Sequence, residues 1–448
     1  MHETREGQYG SGSELRTSEE RLMKIAVFHN LPSGGAKRAL RNYVKYLTRS
    51  GHLVDVHVPS TANEEYQSLR DDAHSLRVYP VKATILGSIY STLRYVPPVR
   101  VSFYDLERTE RDIAEAINSG DYDVVFSEQD RFTSSPFLLK YVRKPLVYFC
   151  QQPTRIQEAS IESVYRDTGC KKSQSAWQSM WVWAFAKRLT EIDRSSASHA
   201  NYILANSYFS RESIMRAYGR NSFVSYLGVD TTLFRPVGMS RERFVLTVGG
   251  CTPAKGFDFI VRSLSRVGSS IRPKLIVVSN SVNLRWKSCI EELARRLSVD
   301  VEIRSLIKDE ELVLLYNSAK LVLYAPYLEA FGLVPLEAMA CGTPVVAVKE
   351  GGVRETVIHD RTGILVDRDE EIFSKAIEAL LRDPLKRDAI AQEARRVILE
   401  SWTLEAAGDR LYNHLSRAKE SHKNTATSEM MGPNPAQFMN LEARYRFD

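Results

Sequence analysis

The chain predicts an α/β protein built from two Rossmann-like domains. Three observations predict it. Short apolar runs, the mark of strands buried on both faces, alternate with segments of helical spacing along most of the chain. The alternation begins near residue 24 and restarts near residue 243. Each half opens with a strand that runs into a glycine-bearing loop and then a helix, with Gly34-Gly35 in the first and Gly249-Gly250 in the second.

Composition bounds the answer. The 448 residues suffice for two or three domains with full-sized cores, and 43% apolar and 26% charged residues are ordinary for a globular protein. A net charge of +6 is too modest to indicate nucleic acid as a partner. The five cysteines, at 150, 170, 251, 289 and 341, are scattered without a C-x-x-C, so a reducing cytoplasm is expected. No run reaches the roughly 18–20 apolar residues of a membrane span. Residues 1–21 are polar, unlike a signal peptide, and are expected to be a disordered leader.

The first domain is expected over residues 22–230. Strands are predicted at 24–29, 53–58, 123–126, 145–149, 202–205 and near 223–226, with helices at 39–47, 106–118 and up to Tyr218. Gly34 and Gly35 follow the first strand and would let a ligand approach the backbone closely. The loop is neither G-x-G-x-x-G nor a P-loop. Residues 60–104 have no clear period and are expected to form loops and short elements. Polar residues at the ends of parallel strands are where open α/β sheets place their sites, which makes Asp130, Gln151 and Arg155 candidates. Residues 131–190 carry ten Lys/Arg against three Asp/Glu. Within them the helix expected at 176–198 bears Trp177, Trp181, Trp183 and Phe185 beside Lys187 and Arg188. Packing beneath the domain is the preferred reading, and peripheral contact with an anionic membrane surface is the alternative.

A linker is expected at 231–240 and the second domain at 241–400. Strands are predicted at 243–248, 274–279, 300–304, 321–325, 344–348 and 363–366, alternating with helices. Lys255 is read as opening the helix after the first of these, where an ammonium group and the helix dipole could meet a phosphate together. An amphipathic helix is expected at 402–417 and a disordered tail over 419–448.

The most informative stretch lies between the strand at 321–325 and the strand at 344–348. It reads Glu329-Ala-Phe-Gly-Leu-Val-Pro-Leu-Glu337-Ala-Met-Ala-Cys-Gly-Thr-Pro. Glu329 falls in the loop after the strand and Glu337 within the next helix. Pro335 suits that helix's first turn, and the amides of Phe331, Gly332 and Leu333 fall at its N-terminus, where unpaired N–H groups favour an anion. This segment closely resembles the E-x7-E signature of the retaining GT-B glycosyltransferases of family 4. The Gly-Val-Asp triplet at 228–230 resembles the same family's passage into its hinge. The resemblance covers roughly residues 23–418.

The resemblance implies a GT-B fold, two Rossmann-like domains facing across a cleft, with helix 401–418 crossing back to the first domain. It implies a cytoplasmic hexosyltransferase, either free or associated with a membrane surface, with a nucleoside-diphosphate sugar as donor, a glycan or lipid-linked glycan as acceptor, and neither cofactor nor metal. Glu337 would bind the ribose, Glu329 the donor sugar, the amides of Phe331, Gly332 and Leu333 the sugar and phosphate, and Lys255 the diphosphate, with Gly34 and Gly35 admitting it from the other side. Two positions depart from the family. The arginine of its phosphate loop is here Gly250, so Lys255 carries more of the charge, or Arg155 or another arginine replaces it. Its first-domain histidine falls on Gln151, which can hydrogen-bond a sugar hydroxyl but is no acid or base near neutral pH. These departures keep open the alternative of a non-catalytic nucleotide- or glycan-binding relative that partners an active enzyme.

Overall fold

The computed structural model describes residues 22–82, 102–153 and 176–431 of the chain. Its first half contains β1 (Lys24–Asn30), α1 (Gly35–Arg49), β2 (Leu53–Pro59), β3 (Ser75–Tyr79), α2 (Phe103–Ser119), β4 (Val124–Asp130), β5 (Leu146–Phe149), α3 (Ala176–Ala197), β6 (Tyr202–Ala205), α4 (Tyr208–Tyr218) and β7 (Phe223–Val224). The strands pair in parallel in the order β3-β2-β1-β4-β5-β6-β7. The apolar runs become strands because both faces are covered: the sheet centre, Ile25 to Phe28 and Val124 to Phe126, has no solvent exposure. Helix starts follow local chemistry. Ser102 caps α2 by accepting from the amide of Asp105, and Ser207 caps α4 by accepting from that of Ser210.

The second half contains β8 (Phe244–Val248), α5 (Phe257–Arg266), β9 (Lys274–Ser279), α6 (Leu284–Arg296), β10 (Val301–Ser305), α7 (Asp309–Ser318), β11 (Leu321–Tyr324), α8 (Leu333–Ala340), β12 (Val345–Val348), α9 (Val353–Thr356), β13 (Ile364–Val366), α10 (Glu370–Arg382) and α11 (Pro384–Ser401). Its parallel sheet has the order β10-β9-β8-β11-β12-β13. Each sheet reverses its winding beside its first strand, between β1 and β4 and between β8 and β11. The carboxyl ends of strands at such points form a natural crevice, and here the two crevices face each other.

A final helix, α12 (Leu404–Met431), returns to the first domain. The Tyr46 ring lies directly over Gly408, His52 stacks on Tyr412 at 5.0 Å between centroids, and Lys419 pairs with Asp123 at 2.7 Å. The helix runs well past residue 417, so the stretch expected as tail begins as helix. The Lys419–Asp123 pair carries its contact with the first domain beyond that point. The expected leader and residues 432–448 lie outside the described residues. Residues 231–240 are anchored on the second domain: Phe234 is buried edge-on to Tyr316, and Val237 N–H donates to Asn317 at 2.9 Å.

In α3, Phe185 stacks on Phe103 at 5.9 Å between centroids, while Trp183 is 65% exposed with Lys187 over its ring. The helix thus packs through one face and presents an aromatic–cation pair on another. No helix among the described residues is long and apolar enough to cross a membrane.

Candidate functional site

The second-domain wall of the cleft is built from the loop after β11. The chain turns through Leu328 at φ 46° to Glu329, and Gly332 at φ 104° caps α8. Both backbone angles lie in the left-handed region, which at Gly332 suits glycine. The loop is held from behind: the Gly352 N–H donates to Glu329 O at 2.7 Å, and a Cβ on Gly351 or Gly352 would sit 2.2 or 2.1 Å from the carbonyl oxygens of Glu329 and Ala330. Glu329 is therefore fixed at the cleft, where its Oε2 accepts from Lys255 Nζ at 2.7 Å. The structure corrects the reading of Lys255 as a helix-opening residue. It closes a 3-10 turn over Pro253–Lys255, and Gly256 at φ 65° separates it from α5. Its stem lies along Gly249, where a Cβ would stand in ordinary contact with it at 3.4 Å.

Glu337 projects from α8 and is buried. Its Oε2 accepts from the Tyr316 hydroxyl at 2.8 Å, and its Oε1 lies 3.4 Å from Arg38 Nε. Burial pushes this carboxyl above its ordinary value, while Arg38 and Tyr316 act in the other direction. Arg38 comes from α1, across the cleft. Its Nη2 donates to Asp309 Oδ1 at 2.6 Å, and Gln67 Nε2 donates to the other oxygen of Asp309 at 2.7 Å. Burial works against the Arg38 charge, but Glu337, Tyr66 and Asp309 outweigh it and hold the guanidinium firmly protonated. Sequence reasoning passed over Arg38, Asp309 and Tyr316. Arg38 stands three residues beyond Gly35, and that spacing was the available signal.

On the first-domain wall, Gly34 adopts φ 147° with nothing within 4 Å of a Cβ, and a Cβ on Gly35 would lie 3.5 Å from Leu333 Cδ1. The glycine pair thus lies against the start of α8. Behind it, His29, Lys37 and Glu64 form a buried cluster. His29 Nε2 lies 2.9 Å from both Glu64 Oε1 and Lys37 Nζ, and Lys37 also pairs with Glu64. Burial holds His29 neutral with its pKa down at about 4, and Lys37 adds to that shift. Glu64 Oε2 in turn accepts from the Leu69 amide at 3.0 Å, which ties down the loop carrying Tyr66 and Gln67.

Gln151 lines the cleft and donates from Nε2 to the buried Glu128 at 3.0 Å. Asp130 is not part of the site. It is buried and accepts from Asn30 Nδ2 at 2.5 Å and from the amides of Phe132 and Thr133 at 2.6 and 3.0 Å, so it shapes the turn after β4. Arg155 lies outside the described residues. The domains also touch on the far side of the cleft. Ser207 Oγ donates to Ala330 O at 2.6 Å, and Glu355 accepts from the Tyr208 and Phe209 amides at 2.8 and 3.0 Å.

The structure therefore gathers Gly34, Gly35, Gln151, Gly250, Lys255, Glu329, Phe331, Gly332, Leu333 and Glu337 around one cleft of about 500 Å³. Within it Lys255 pairs with Glu329, whereas Glu337 pairs with Arg38 and not with Lys255. Gly250 brings no cation. A Cβ there would have 3.8 Å to its nearest neighbour, Ser281 O, so space does not demand a glycine. Among the described residues no group of three or more His, Cys, Asp or Glu is arranged to hold a metal ion. Paired cations, helix-start amides and a buried carboxylate in one cleft can bind an anionic, hydroxyl-bearing ligand.

Two family models match the chain: Glycosyltransferase Family 4 over residues 33–233 and Glycosyl transferases group 1 over residues 230–397. Among similar proteins is a D-inositol 3-phosphate glycosyltransferase of Rhodococcus opacus (strain B4), 28% identical over 55% of this chain and 58% of that protein. Another is the human alpha-1,3/1,6-mannosyltransferase ALG2, 38% identical over 24% of this chain and 26% of that protein. A third is the GDP-mannose-dependent alpha-(1-6)-phosphatidylinositol monomannoside mannosyltransferase of Mycolicibacterium smegmatis, 29% identical over 51% and 66%. The chain thus spans less than two thirds of the length of each of these relatives. In fold it is similar to Anabaena Alr3699/HepE, solved in complex with UDP and glucose, at a TM-score of 0.66 and 19% identity over 88% of this chain and 100% of that one. It is similar also to sucrose-phosphate synthase from Thermosynechococcus elongatus, at 0.65 and 20% identity over 91% and 100%.

Proposed function

The chain belongs to the GT-B glycosyltransferases of family 4, and on that premise we propose that it is a retaining hexosyltransferase moving a sugar from a nucleoside-diphosphate sugar to a hydroxyl of a glycan or lipid-linked glycan. The observation that carries this reading is the Lys255–Glu329 pair beside the start of α8, facing Gly34 and Gly35 across the cleft. The names of the relatives, one GDP-mannose-dependent, and the neighbour solved with UDP and glucose support a nucleotide-sugar donor.

In this reading Glu337 accepts from the ribose hydroxyls with lone pairs that Tyr316 and Arg38 leave free. The diphosphate lies between Lys255, the amides of Phe331, Gly332 and Leu333, and the open backbone at Gly34. Glu329 takes a hydroxyl of the transferred sugar and keeps Lys255 in place. Arg38 supplies the second cation that Gly250 does not. The bond from the anomeric carbon to the diphosphate oxygen breaks as the bond to the acceptor oxygen forms on the same face. The acceptor proton passes to the departing diphosphate. The protein's part is to stabilise negative charge growing on that diphosphate with donors already in position. No cofactor takes part in this scheme, and no step needs a metal.

The acceptor is met on the first domain, and the exposed Trp183–Lys187 pair on α3 suits an acceptor carried at a membrane surface. Incubating the purified chain with UDP-glucose, GDP-mannose or ADP-glucose and a lipid-linked glycan acceptor tests the proposal. Free nucleotide and an α-linked product by NMR are expected from an α-linked donor. A β-linked product would refute retention. No turnover with any pair would favour the second reading, a non-catalytic binding partner, which rests on Gly250 and Gln151.

A further inference from the structure

Helix α4 of the first domain begins in a way that its own domain does not complete. The first amides of a helix have no partner within it. In α4 the Ser210 amide donates to Ser207 Oγ. The Tyr208 and Phe209 amides instead donate to Oε2 and Oε1 of Glu355, at 2.8 and 3.0 Å. Glu355 stands in α9, on the second domain. A carboxylate at a helix start gains from the helix dipole and from charge-assisted hydrogen bonds. This one is also aimed: the Tyr226 hydroxyl donates to Oε2 at 2.9 Å. Tyr226 comes just before the passage between the domains, and its ring lies 5.2 Å from Trp402 and 6.1 Å from Phe331 between centroids.

Both walls of the cleft reach this helix start. From the first domain, Ser210 Oγ donates to the Gln151 carbonyl at 2.8 Å. From the second, the Ala330 carbonyl accepts from Ser207 Oγ at 2.6 Å. Glu355 is tied to the same loop through the backbone. Its N–H donates to Gly352 O at 2.9 Å, and Gly352 N–H donates to Glu329 O at 2.7 Å. A Cβ on Gly352 would stand 2.1 Å from Ala330 O, so α9 and the loop at 329–331 are packed backbone to backbone and move as one. Glu355 is thus a handle on Glu329, gripped by the helix that holds Gln151.

We propose that Glu355 is a positioning residue for sugar transfer: by completing α4 from the other domain, it sets the spacing between Glu329 on one wall and Gln151 on the other. The inference rests on the transferase reading for what the walls carry. In that reading Lys255, Glu337 and the α8 amides hold the nucleotide, and they stand together on the second domain without help from Glu355. Transfer differs, because donor and acceptor are met on different domains, and a misplacement of about 1 Å between reacting groups can cost 100-fold.

The test compares wild type with Glu355→Leu and Glu355→Gln. Amide hydrogen exchange at Tyr208 and Phe209 reports the contact itself, small-angle X-ray scattering the spacing of the domains, and calorimetry with UDP and GDP the donor wall. Transfer kinetics use the nucleotide sugar and acceptor that wild type turns over. Glu355→Leu is expected to speed exchange at the two amides at least about tenfold and to raise the radius of gyration. Nucleotide affinity and donor KM should stay within about twofold of wild type, while kcat falls at least about tenfold. Glu355→Gln keeps one acceptor oxygen for the two amides and should fall between; it carries the same test if Glu355→Leu does not fold. Faster exchange at the two amides with wild-type scattering and kcat would make Glu355 a local cap and overturn the proposal. A loss of nucleotide affinity that matches the loss of transfer would overturn it too, by placing Glu355 in the donor pocket. If wild type transfers no sugar, the transferase reading fails, and the scattering of Glu355→Leu alone decides whether Glu355 sets the spacing of the walls.

Discussion

Replacing Arg38 with methionine removes the contact that joins the two walls of the cleft most directly. The guanidinium is 2.6 Å from Asp309 and 3.4 Å from Glu337, with side-chain exposures of 11% for Arg38, 19% for Asp309 and 5% for Glu337. Truncating one partner of a buried ion pair typically costs 3–5 kcal/mol, because the other charge is left behind. Asp309 keeps Gln67 as a donor and can be rehydrated from the cleft, so the lower end applies, about 3 kcal/mol. Glu337 keeps only Tyr316 and loses the charge that opposes the upward push of burial on its pKa. Urea unfolding would show a lower midpoint with little change in slope. In a double-mutant cycle with Glu337→Gln, the pair should show a coupling of about 2 kcal/mol. A loss under about 1 kcal/mol, or strict additivity in the cycle, would refute the view that Arg38 and Glu337 act as a pair across the cleft.

Two further outcomes follow from single positions. The Glu128 carboxyl keeps its proton up to a pH of about 8 in the folded chain, while the unfolded chain releases it near 4.5. Its contribution to stability is therefore fully present below 4.5 and is lost as pH rises through 8, at up to about 1.4 kcal/mol per unit. Glu128→Gln should flatten the dependence of the urea midpoint on pH across that window, and an unchanged slope would mean that Glu128 is not a buried acid. Gly250→Arg should tighten UDP or GDP about fivefold by adding a cation where space allows. Calorimetry showing no gain would mean that this loop does not face the phosphates.

The alternation of apolar runs with helical spacing made both sheets legible, because parallel strands buried on both faces cannot be polar. The loop-and-helix placement of Glu329 and Glu337 was legible for the same local reasons: an apolar strand, a glycine cap and Pro335 leave few other arrangements. What was hidden depends on contacts between distant segments. Arg38 meets Glu337 only because α1 of one domain abuts α8 of the other. Glu128 could not be told from Asp130, since the pairing of β1 with β4 shifts register between Phe28 and Asn30 and breaks the two-residue alternation there. The length of α12 was missed because its last turns are polar in sequence. Ion pairing such as Lys419 with Asp123 is invisible to a hydrophobic period.

The central claim is that Glu337 holds the ribose of a nucleoside diphosphate. Titration calorimetry of UDP, GDP and ADP into wild type and Glu337→Ala tests it most directly. A hydrogen bond to a charged group contributes about 1.5–3 kcal/mol. Wild type should bind at least one of the three, and Glu337→Ala should bind that nucleotide at least about tenfold more weakly. Equal affinity in the two proteins, with the variant folded, would contradict the account.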